Sequence, residues 1–319
     1  MHNLRHFYYQ NKEKIWKVVL FIAFLLGIIY FLNSHAISNK SQSNVSNTSN
    51  NEIYSDEQNK TYISNQSAIS GGSVEKAEVE EINSTISKFL QYCKNGNLEQ
   101  AYEMISTDCK ENEYKTLENF QNKYVKSKFD KTSIYKIEKW ISNTYKISIS
   151  KDLLLTGDIN NNEKQTEYIT ITKEDGEKKL NINSYIGKKD INKEATQENI
   201  KITAISKKIY LDYEIYNFKI ENLSSNTIKL DSLKKIGTIH LEDSNGNKYN
   251  AYTNEILDED LEIKANHENS LTIKYANKYS NKIQIKAVVF ENVILNYPKY
   301  KKAENIETFE EICELKINL

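Results

Sequence analysis

The sequence predicts a membrane-anchored, two-domain protein in which one N-terminal transmembrane helix precedes an α+β domain and an all-β sandwich. Three observations point to this fold class. A single long apolar run covers residues 15–32, hydrophobic residues recur at helical spacing from Val74, and apolar and polar residues alternate from Ile134 onward. A spacing of three and four indicates helices that bury one face, and a spacing of two indicates half-buried strands.

The apolar run from Ile15 to Leu32 is predicted to cross a bilayer as one helix, which takes about 20 apolar residues. Cations are concentrated before and at its start, and Lys40 is the first cation that follows it. This bias places residues 1–14 in the cytoplasm and the C-terminal part outside the cell. Cleavage by signal peptidase after Ala36 is the alternative, because small residues precede that bond at the required spacing.

Residues 33–73 are rich in serine, asparagine and glutamine and contain few apolar residues. Such a segment cannot bury enough apolar surface to offset the entropy lost on ordering, so it is predicted to be a disordered tether. A tether is superfluous in a freely secreted protein, which favours a retained anchor. The net charge of −1 lacks the basic excess that nucleic-acid binding requires.

Residues 74–192 are predicted to form the α+β domain, which begins with three helices. The first helix ends at Asn95-Gly96, because glycine readily adopts the left-handed conformation at a helix C-terminus. The inward-facing residues of the three helices are Val79, Ile82, Ile86, Phe89, Leu90 and Cys93, then Leu98, Ala101, Tyr102 and Ile105, then Leu117, Phe120 and Tyr124.

About four antiparallel strands are predicted to follow the helices from Ile134. Their later runs cover residues 153–156, 168–172 and 179–183, and Asp175-Gly176 is a strong signal for a hairpin turn. Three helices followed by one such sheet predict that the helices lie on one sheet face.

Residues 196–297 are predicted to form the all-β sandwich, because short strand-like runs follow one another with turn residues between them. About seven runs cover residues 200–206, 210–221, 227–230, 236–241, 248–252, 270–275 and 283–290. The polar stretch 188–199 is predicted to be the linker between the domains. The tail 298–319 is predicted to form one helix with Ile306, Phe309 and Cys313 on one face, ending in a short strand.

The segment 89–106 resembles the NTF2-like superfamily. A long helix stops at Gly96-Asn97, the next helix opens with Ala101-Tyr102, and Ile105-Ser106 stands where the family has a leucine-serine ending. The resemblance implies a curved sheet that encloses a cone together with the helices. It implies little about activity, because cones of this kind host enzymes, binding pockets and scaffolds.

The run from Ile209 to Glu221 and the hairpin at residues 241–249 resemble extracellular immunoglobulin-like modules of bacteria. The sequence has no Cys…Trp…Cys core, so the resemblance implies a disulfide-free variant. Abundant asparagine, lysine and isoleucine with a single proline are similar to the composition of Gram-positive, clostridia-like proteins.

No catalytic motif stands out from the sequence. Of five histidines, only His240 and His267 fall in the predicted folded part, and each is predicted to be structural or solvated. The sequence contains neither Gly-x-Ser-x-Gly nor His-Glu-x-x-His. We therefore predict no catalytic residue, no cofactor-binding residue and no metal ligand.

Four lysines interleaved with aromatic residues form the densest basic patch, namely Lys123, Lys126, Lys128 and Lys131. They are candidate contacts for an anionic wall polymer or for lipid headgroups, and a solvated helix face is the alternative. Three cysteines make no zinc pattern. A Cys93–Cys109 disulfide and buried free thiols both fit their spacing.

Two polar loops are also predicted. Residues 243–247 predict a hairpin turn rather than a calcium loop, because glycine stands fourth and not sixth. The acidic run 258–260 with Glu262 is predicted to be a solvated loop, with a weak divalent-cation site as the alternative.

Together these features predict a non-enzymatic binding or scaffold protein on the outer face of a Gram-positive membrane. Its predicted partners are the membrane, through the single span, and an envelope protein or wall polymer. One alternative is a component of a conjugation or secretion machinery, which also uses one span followed by NTF2-like domains. Another is a ligand sensor or hydrolase that works inside the cone, which would require a polar cavity with a carboxylate.

Overall fold

The computed structural model describes residues 55–56, 59–60, 62–64, 76–152, 164–303 and 308–319. The described residues all belong to one compact unit. The predicted cytoplasmic tail, the predicted membrane span and most of the predicted tether lie outside the described residues, as does the strand predicted at 153–156.

The first long helix follows the predicted stripe of apolar residues. Ile82, Ile86, Phe89, Leu90 and Cys93 are all buried, and Gly96 follows the first helix with a φ of 79°. The helices are α1 (Lys76–Asn95), α2 (Leu98–Glu103), α3 (Thr107–Glu113), α4 (Leu117–Phe120) and α5 (Lys126–Lys128), with a π-helical turn at Gln121–Val125 joining the last two. Helix α3 was not predicted from the sequence. The Ser106 side chain caps it by accepting from the Cys109 backbone N–H at 3.0 Å.

Two short strands, β1 (Ser55–Asp56) and β2 (Asn59–Lys60), pair with each other. A five-stranded sheet then consists of β3 (Tyr62–Ser64), β4 (Ser133–Ile141), β5 (Thr144–Lys151), β6 (Gln165–Glu174) and β7 (Glu177–Asn181), in that order. The Asp175-Gly176 turn is confirmed, since both residues have positive φ angles and join β6 to β7. The strand β3 pairs with β4 in parallel. The prediction of a structureless tether therefore does not hold for the three short strands β1, β2 and β3.

Two further sheets pack face to face around a second core. The four-stranded sheet consists of β8 (Tyr185–Gln197), β9 (Ile200–Tyr210), β10 (Glu214–Asn222) and β15 (Glu268–Tyr275). The six-stranded sheet consists of β11 (Ile228–Lys229), β12 (Ile239–Asp243), β13 (Lys248–Asn250), β14 (Glu262–Ile263), β16 (Ile285–Ile294) and β17 (Ile312–Asn318). Alternating burial along β10, with Tyr216, Phe218 and Ile220 inward, shows why its sequence forms a strand in this position.

The β8–β9 hairpin contributes to both hydrophobic cores. Tyr185 and Tyr210, at one end of the hairpin, belong to the core between the helices and the five-stranded sheet. Ile200 and Ile202, at the other end, belong to the core between the other two sheets. The polar stretch 188–199, predicted to be a linker, is therefore mostly the edge strand β8, whose polar side chains face solvent.

Helix α3 fastens the first core to this hairpin through polar contacts. The Tyr185 hydroxyl donates to Asp108 Oδ2 at 2.9 Å, and the Tyr210 hydroxyl donates to Glu113 Oε1 at 2.6 Å. The Lys208 ammonium donates to the Asn112 carbonyl at 3.0 Å and lies 3.5 Å from Glu113. The end of the hairpin that enters the first core is therefore held by hydrogen bonds as well as by packing.

The predicted fold class is corrected by these observations. The structure is mostly β-sheet, and its sheets are antiparallel apart from the β3–β4 pair. No helix in the described part of the chain is long and apolar enough to cross a membrane. The prediction of an α+β NTF2-like domain followed by a separate immunoglobulin-like sandwich is thus wrong as a fold class. The described part of the chain is mostly β-sheet, and the predicted linker is a long, solvated edge strand of a hairpin that both cores share.

The predicted tail helix is also corrected. A short helix α6 (Tyr297–Tyr300) begins with Pro298 in its first turn, and residues 304–307 lie outside the described chain. Cys313 then belongs to strand β17, where Leu315 and Ile317 are buried on the same sheet face. The period of two in these last residues outweighs the weaker helical spacing of Ile306, Phe309 and Cys313.

Candidate functional site

The most unusual ionisable group in the helix–sheet core is Glu167 on β6. Its side chain is only 2% exposed, and it lies directly across from Ile147 of the neighbouring strand. Alternation along β6 places Glu167 on the same face as the buried residues Ile169 and Ile171. A carboxylate on an apolar strand face is costly unless charged and polar groups surround it.

Lys128 supplies the opposite charge. It lies at the end of α5, its ammonium forms an ion pair with Glu167, and it donates a hydrogen bond to Asn183 Oδ1 at 3.0 Å. The backbone N–H of Asn183 also donates to the Glu167 carboxylate, because the chain turns there with a positive φ. The result is a small polar cluster at the edge of the core, made by Lys128, Glu167 and Asn183.

Burial raises the pKa of Glu167 above the usual range of a glutamate, whereas the Lys128 ammonium and the Asn183 N–H act in the opposite direction. The Tyr124 hydroxyl lies close enough to favour the ionised carboxylate, but it has no partner at hydrogen-bond geometry among the described residues. Burial likewise raises the pKa of Tyr124 well above its usual value.

Aromatic rings fill the space behind this cluster. Tyr124 stacks on Phe120 with ring centroids 5.6 Å apart. The ring centroids of Phe89 and Tyr114 lie 5.9–6.4 Å from those of these two rings. All four side chains are at most 3% exposed. The Lys128 ammonium lies over the Tyr124 ring, 4.8 Å from the ring centre. The interior of the helix–sheet unit is therefore packed by side chains around Glu167.

Two open clefts lie outside this core, on either side of the β6–β7 hairpin. The larger, of about 650 Å³, lies against α1, where Lys178 pairs with Glu81 at 2.6 Å. The smaller, of about 320 Å³, is lined by Lys110 and Lys179 together with acidic residues of the hairpin. Both clefts are polar and of mixed charge, and Glu167 lines neither.

The predicted basic patch is divided by the structure. Lys128 turns inward to Glu167, whereas Lys123, Lys126 and Lys131 are exposed. The Lys126 ammonium donates to Asn122 Oδ1 at 2.8 Å, one helical turn earlier. Contact of the three exposed lysines with an anionic polymer stays a prediction, and Lys128 is not available for it.

Among the described residues, neither His240 nor His267 is hydrogen-bonded to a serine, threonine or cysteine side chain that could act as a nucleophile. His240 is buried in β12, and its Nδ1 lies 2.9 Å from the Gly237 carbonyl oxygen. Burial lowers the pKa of His240, so the ring favours its neutral form. His267 lies exposed in a turn, with Nδ1 2.7 Å from the Ala265 carbonyl oxygen. These contacts are those of structural and solvated residues, as predicted.

The two polar loops differ in their contacts. Asp243 accepts hydrogen bonds from the backbone N–H groups of Asn245 and Asn247 and from the Tyr249 hydroxyl, which confirms the predicted hairpin turn. The Asn247 side-chain amide also donates to Asp243, at 2.9 Å, and this bond first, together with the backbone ones, lowers the pKa of Asp243 to about 2. In the acidic run, Asp258 pairs with Lys229 at 2.5 Å. No group of three or more possible metal ligands occurs within the part of the chain that the structure describes.

All three cysteines are free in the structure. Of the two alternatives that the sequence left open, a Cys93–Cys109 disulfide or buried free thiols, the structure has the free thiols. Cys93 and Cys109 are fully buried in the first core, and Cys313 is half-buried. Burial raises the pKa of the Cys109 thiol to about 12 and that of Cys313 to about 11.

Glu167 was missed by the sequence analysis. Its alternation with Ile169 and Ile171 was the available signal, because it places a carboxylate on a predicted apolar face.

Comparison of the chain with family models, with curated proteins and with solved structures finds no match. The mostly β-sheet fold is compatible with an immunoglobulin-like module, and that resemblance rests on the sequence pattern alone.

Proposed function

We propose that this protein is a non-enzymatic binding or scaffold protein on the outer face of a Gram-positive cell envelope. The observation that supports it most directly is the state of Glu167. An enzyme that worked inside the helix–sheet unit would need its carboxylate to touch a substrate. Here the carboxylate is buried, paired with Lys128 and backed by packed aromatic rings.

The way in which the two cores are joined also supports a scaffold. The β8–β9 hairpin belongs to both cores, and α3 is bonded to it through Asp108 and Glu113. Such a connection fixes the surfaces of the three sheets relative to one another. Recognition would then use outer surfaces, such as the two clefts beside the β6–β7 hairpin and the exposed lysines of the basic patch.

The proposal is tested by complementation of a deletion strain with the double variant Lys128→Met and Glu167→Gln. This variant removes both charges together, so that neither group is left buried and unpaired. The matched control is Lys136→Met with Glu138→Gln, which makes the same changes at an exposed pair 2.8 Å apart. We expect both variants to restore the phenotype. Loss of function in the first variant, with circular dichroism showing a native fold, would refute the non-enzymatic assignment.

The proposed location rests on the apolar run of residues 15–32 and the cations around its start. Protease added to intact, wall-stripped cells should degrade the C-terminal part and leave a short membrane-bound fragment. Recovery of the protein from the medium with Ile37 as its first residue would instead establish cleavage after Ala36. A C-terminal part that resists protease until the cells are lysed would contradict the proposed location.

A further inference from the structure

The loop between β11 and β12 exposes an isoleucine almost completely. Ile236 is 86% exposed, and Lys234 and Lys235, which precede it, are exposed as well. A single exposed apolar residue is common on protein surfaces. This one is unusual because the loop that carries it is held in place.

Buried polar groups hold the loop from beneath. Asp231, only 1% exposed, accepts from the Leu233 N–H at 2.6 Å, and the Thr238 hydroxyl donates to the Lys235 carbonyl at 3.2 Å. His240 contacts the Gly237 carbonyl. Leu233 has a φ of 57°, a conformation that residues other than glycine seldom adopt. Ile236 is therefore presented outward by a defined loop rather than by a loose one.

Cations of a second segment lie beside this loop. The Lys234 ammonium lies 5.7 Å from the ring centre of Tyr300 in α6, and Lys301 and Lys302 follow that tyrosine directly. Lys301 covers the ring of Tyr297 at 4.5 Å. Lys234, Lys235, Lys301 and Lys302 form no ion pair with any described residue, and we name these four lysines with Ile236 the basic loop surface.

Among the described residues, the carboxylates on neighbouring segments do not pair with the lysines of the basic loop surface. Asp258 is paired with Lys229, and Glu311 is paired with Lys299. Asp231 is buried beneath the loop and is held by the Leu233 N–H. Glu259, next to Asp258, is exposed.

We propose that the basic loop surface docks on an anionic lipid bilayer, with Ile236 entering the boundary between headgroups and acyl chains. Two exposed lysines directly before one apolar tip, with two more after Tyr300 in the neighbouring segment, match the combination of electrostatic and apolar contacts that peripheral membrane sites use. An anionic polymer would use the lysines and leave Ile236 in water. A protein partner of ordinary interface size would need a larger apolar area. This inference goes beyond the proposed function and depends only on the described residues.

The test places an environment-sensitive fluorophore at position 236 of the full chain, as Ile236→Cys in a Cys313→Ser background. Vesicles of phosphatidylcholine alone are compared with vesicles of equimolar phosphatidylcholine and phosphatidylglycerol. We expect a blue shift with the anionic vesicles only, and its loss in high salt. Because the label reports on position 236 alone, insertion of residues 15–32 does not by itself produce this signal.

The matched control is Ile283→Cys in the same background. Ile283 also follows a lysine and is 36% exposed, but it precedes β16 at the end away from the loop. Replacing Lys234 and Lys235 by glutamine should lower the affinity for anionic vesicles by about 25-fold, which corresponds to about fivefold for each lysine. A shift of equal size at position 283, a shift of equal size with neutral vesicles, or no shift at position 236 would overturn the proposal.

Discussion

Replacing Lys128 by methionine gives the sharpest test of the Glu167 cluster. Methionine keeps most of the apolar stem of lysine, so the change removes mainly the charge, the bond to Asn183 and the cation over the Tyr124 ring. Glu167 keeps the N–H of Asn183 as a donor. Its carboxylate nevertheless loses its only ion-pair partner among the described residues.

Two limits set the expected loss in the free energy of unfolding for Lys128→Met. Removing one partner of a buried ion pair costs about 3–5 kcal/mol. The carboxyl group can instead take up a proton, which at pH 7 costs about 3.7 kcal/mol for a glutamate of ordinary pKa. Lys128 is 18% exposed, so water relieves part of the loss in the variant. We therefore expect Lys128→Met to lower the free energy of unfolding by about 3 kcal/mol at pH 7.

The pH dependence follows from the raised pKa of Glu167 in the folded protein. A folded state that binds this proton more tightly than the unfolded state is favoured at low pH, and it loses that advantage as pH rises through the folded pKa. Without Lys128 the folded pKa rises further. The cost of Lys128→Met should therefore shrink to about 1 kcal/mol at pH 5, where protonation of the carboxyl group is cheap.

The assay is urea denaturation of the full chain in a Trp16→Phe background, followed by the fluorescence of Trp140, whose ring lies 5.6 Å from Tyr168 on β6. The control is Lys136→Met at the exposed pair, which should cost less than about 0.5 kcal/mol. Adding Glu167→Gln to Lys128→Met should recover most of the lost stability. An equal cost at pH 5 and pH 7 would refute the reasoning, because it would mean that the variant leaves no unpaired buried carboxylate.

Three further predictions concern other parts of the unit. Tyr210→Phe removes the 2.6 Å bond to Glu113 and should lower the free energy of unfolding by about 1–2 kcal/mol, measured by urea denaturation; no change would mean that the bond is absent in solution. A thiol reagent should modify Cys313 alone in the native protein and all three cysteines after denaturation, as read by mass spectrometry; finding only one reactive thiol after denaturation would reveal a disulfide. Hydrogen bonds, above all from the Asn247 side chain, hold the pKa of Asp243 at about 2, below the ordinary value of an aspartate. Its stabilising contribution is therefore present above that ordinary value and is lost as pH falls toward 2. In Asp243→Asn the acid-induced loss of stability over that range should be smaller, and an unchanged acid profile would contradict this role.

Local patterns predicted the elements of this fold better than they predicted how those elements join. The stripe of α1 and its end at Gly96 were predictable because helix periodicity and glycine conformation are local properties. The turn at Asp175-Gly176 was predictable for the same reason. The contact between α3 and the β8–β9 hairpin was not predictable. Its hydrogen bonds join Tyr185 to Asp108 and Tyr210 to Glu113 across about 75 to 100 residues of sequence.

The polar character of residues 188–199 misled the sequence analysis. A strand at the edge of a sheet can expose nearly all its side chains, and β8 does so at Lys188, Asp190 and Lys193. Charged residues on such an edge also discourage pairing with other chains. Polarity alone therefore does not separate a linker from an edge strand.

The basic patch shows a similar limit at the candidate site. Composition and spacing grouped Lys128 with Lys123, Lys126 and Lys131 as one surface. The π-helical turn at Gln121–Val125 and the position of Glu167 decide that Lys128 points inward, and neither can be read from the spacing of the lysines. The alternation of Glu167 with Ile169 and Ile171 was the one local signal of the buried pair.

The central claim is that outer surfaces, and not interior side chains, carry the function. It is tested most directly by complementation with two sets of folded variants in one deletion strain. The interior set is Lys128→Met with Glu167→Gln, and His240→Gln. The surface sets reverse charges at Lys123, Lys126 and Lys131, at Lys173 and Lys178 in the larger cleft, and at Lys234 and Lys235. We predict that the interior set restores the phenotype and that at least one surface set fails. Failure of a folded interior variant, with restoration by every surface set, would contradict the claim.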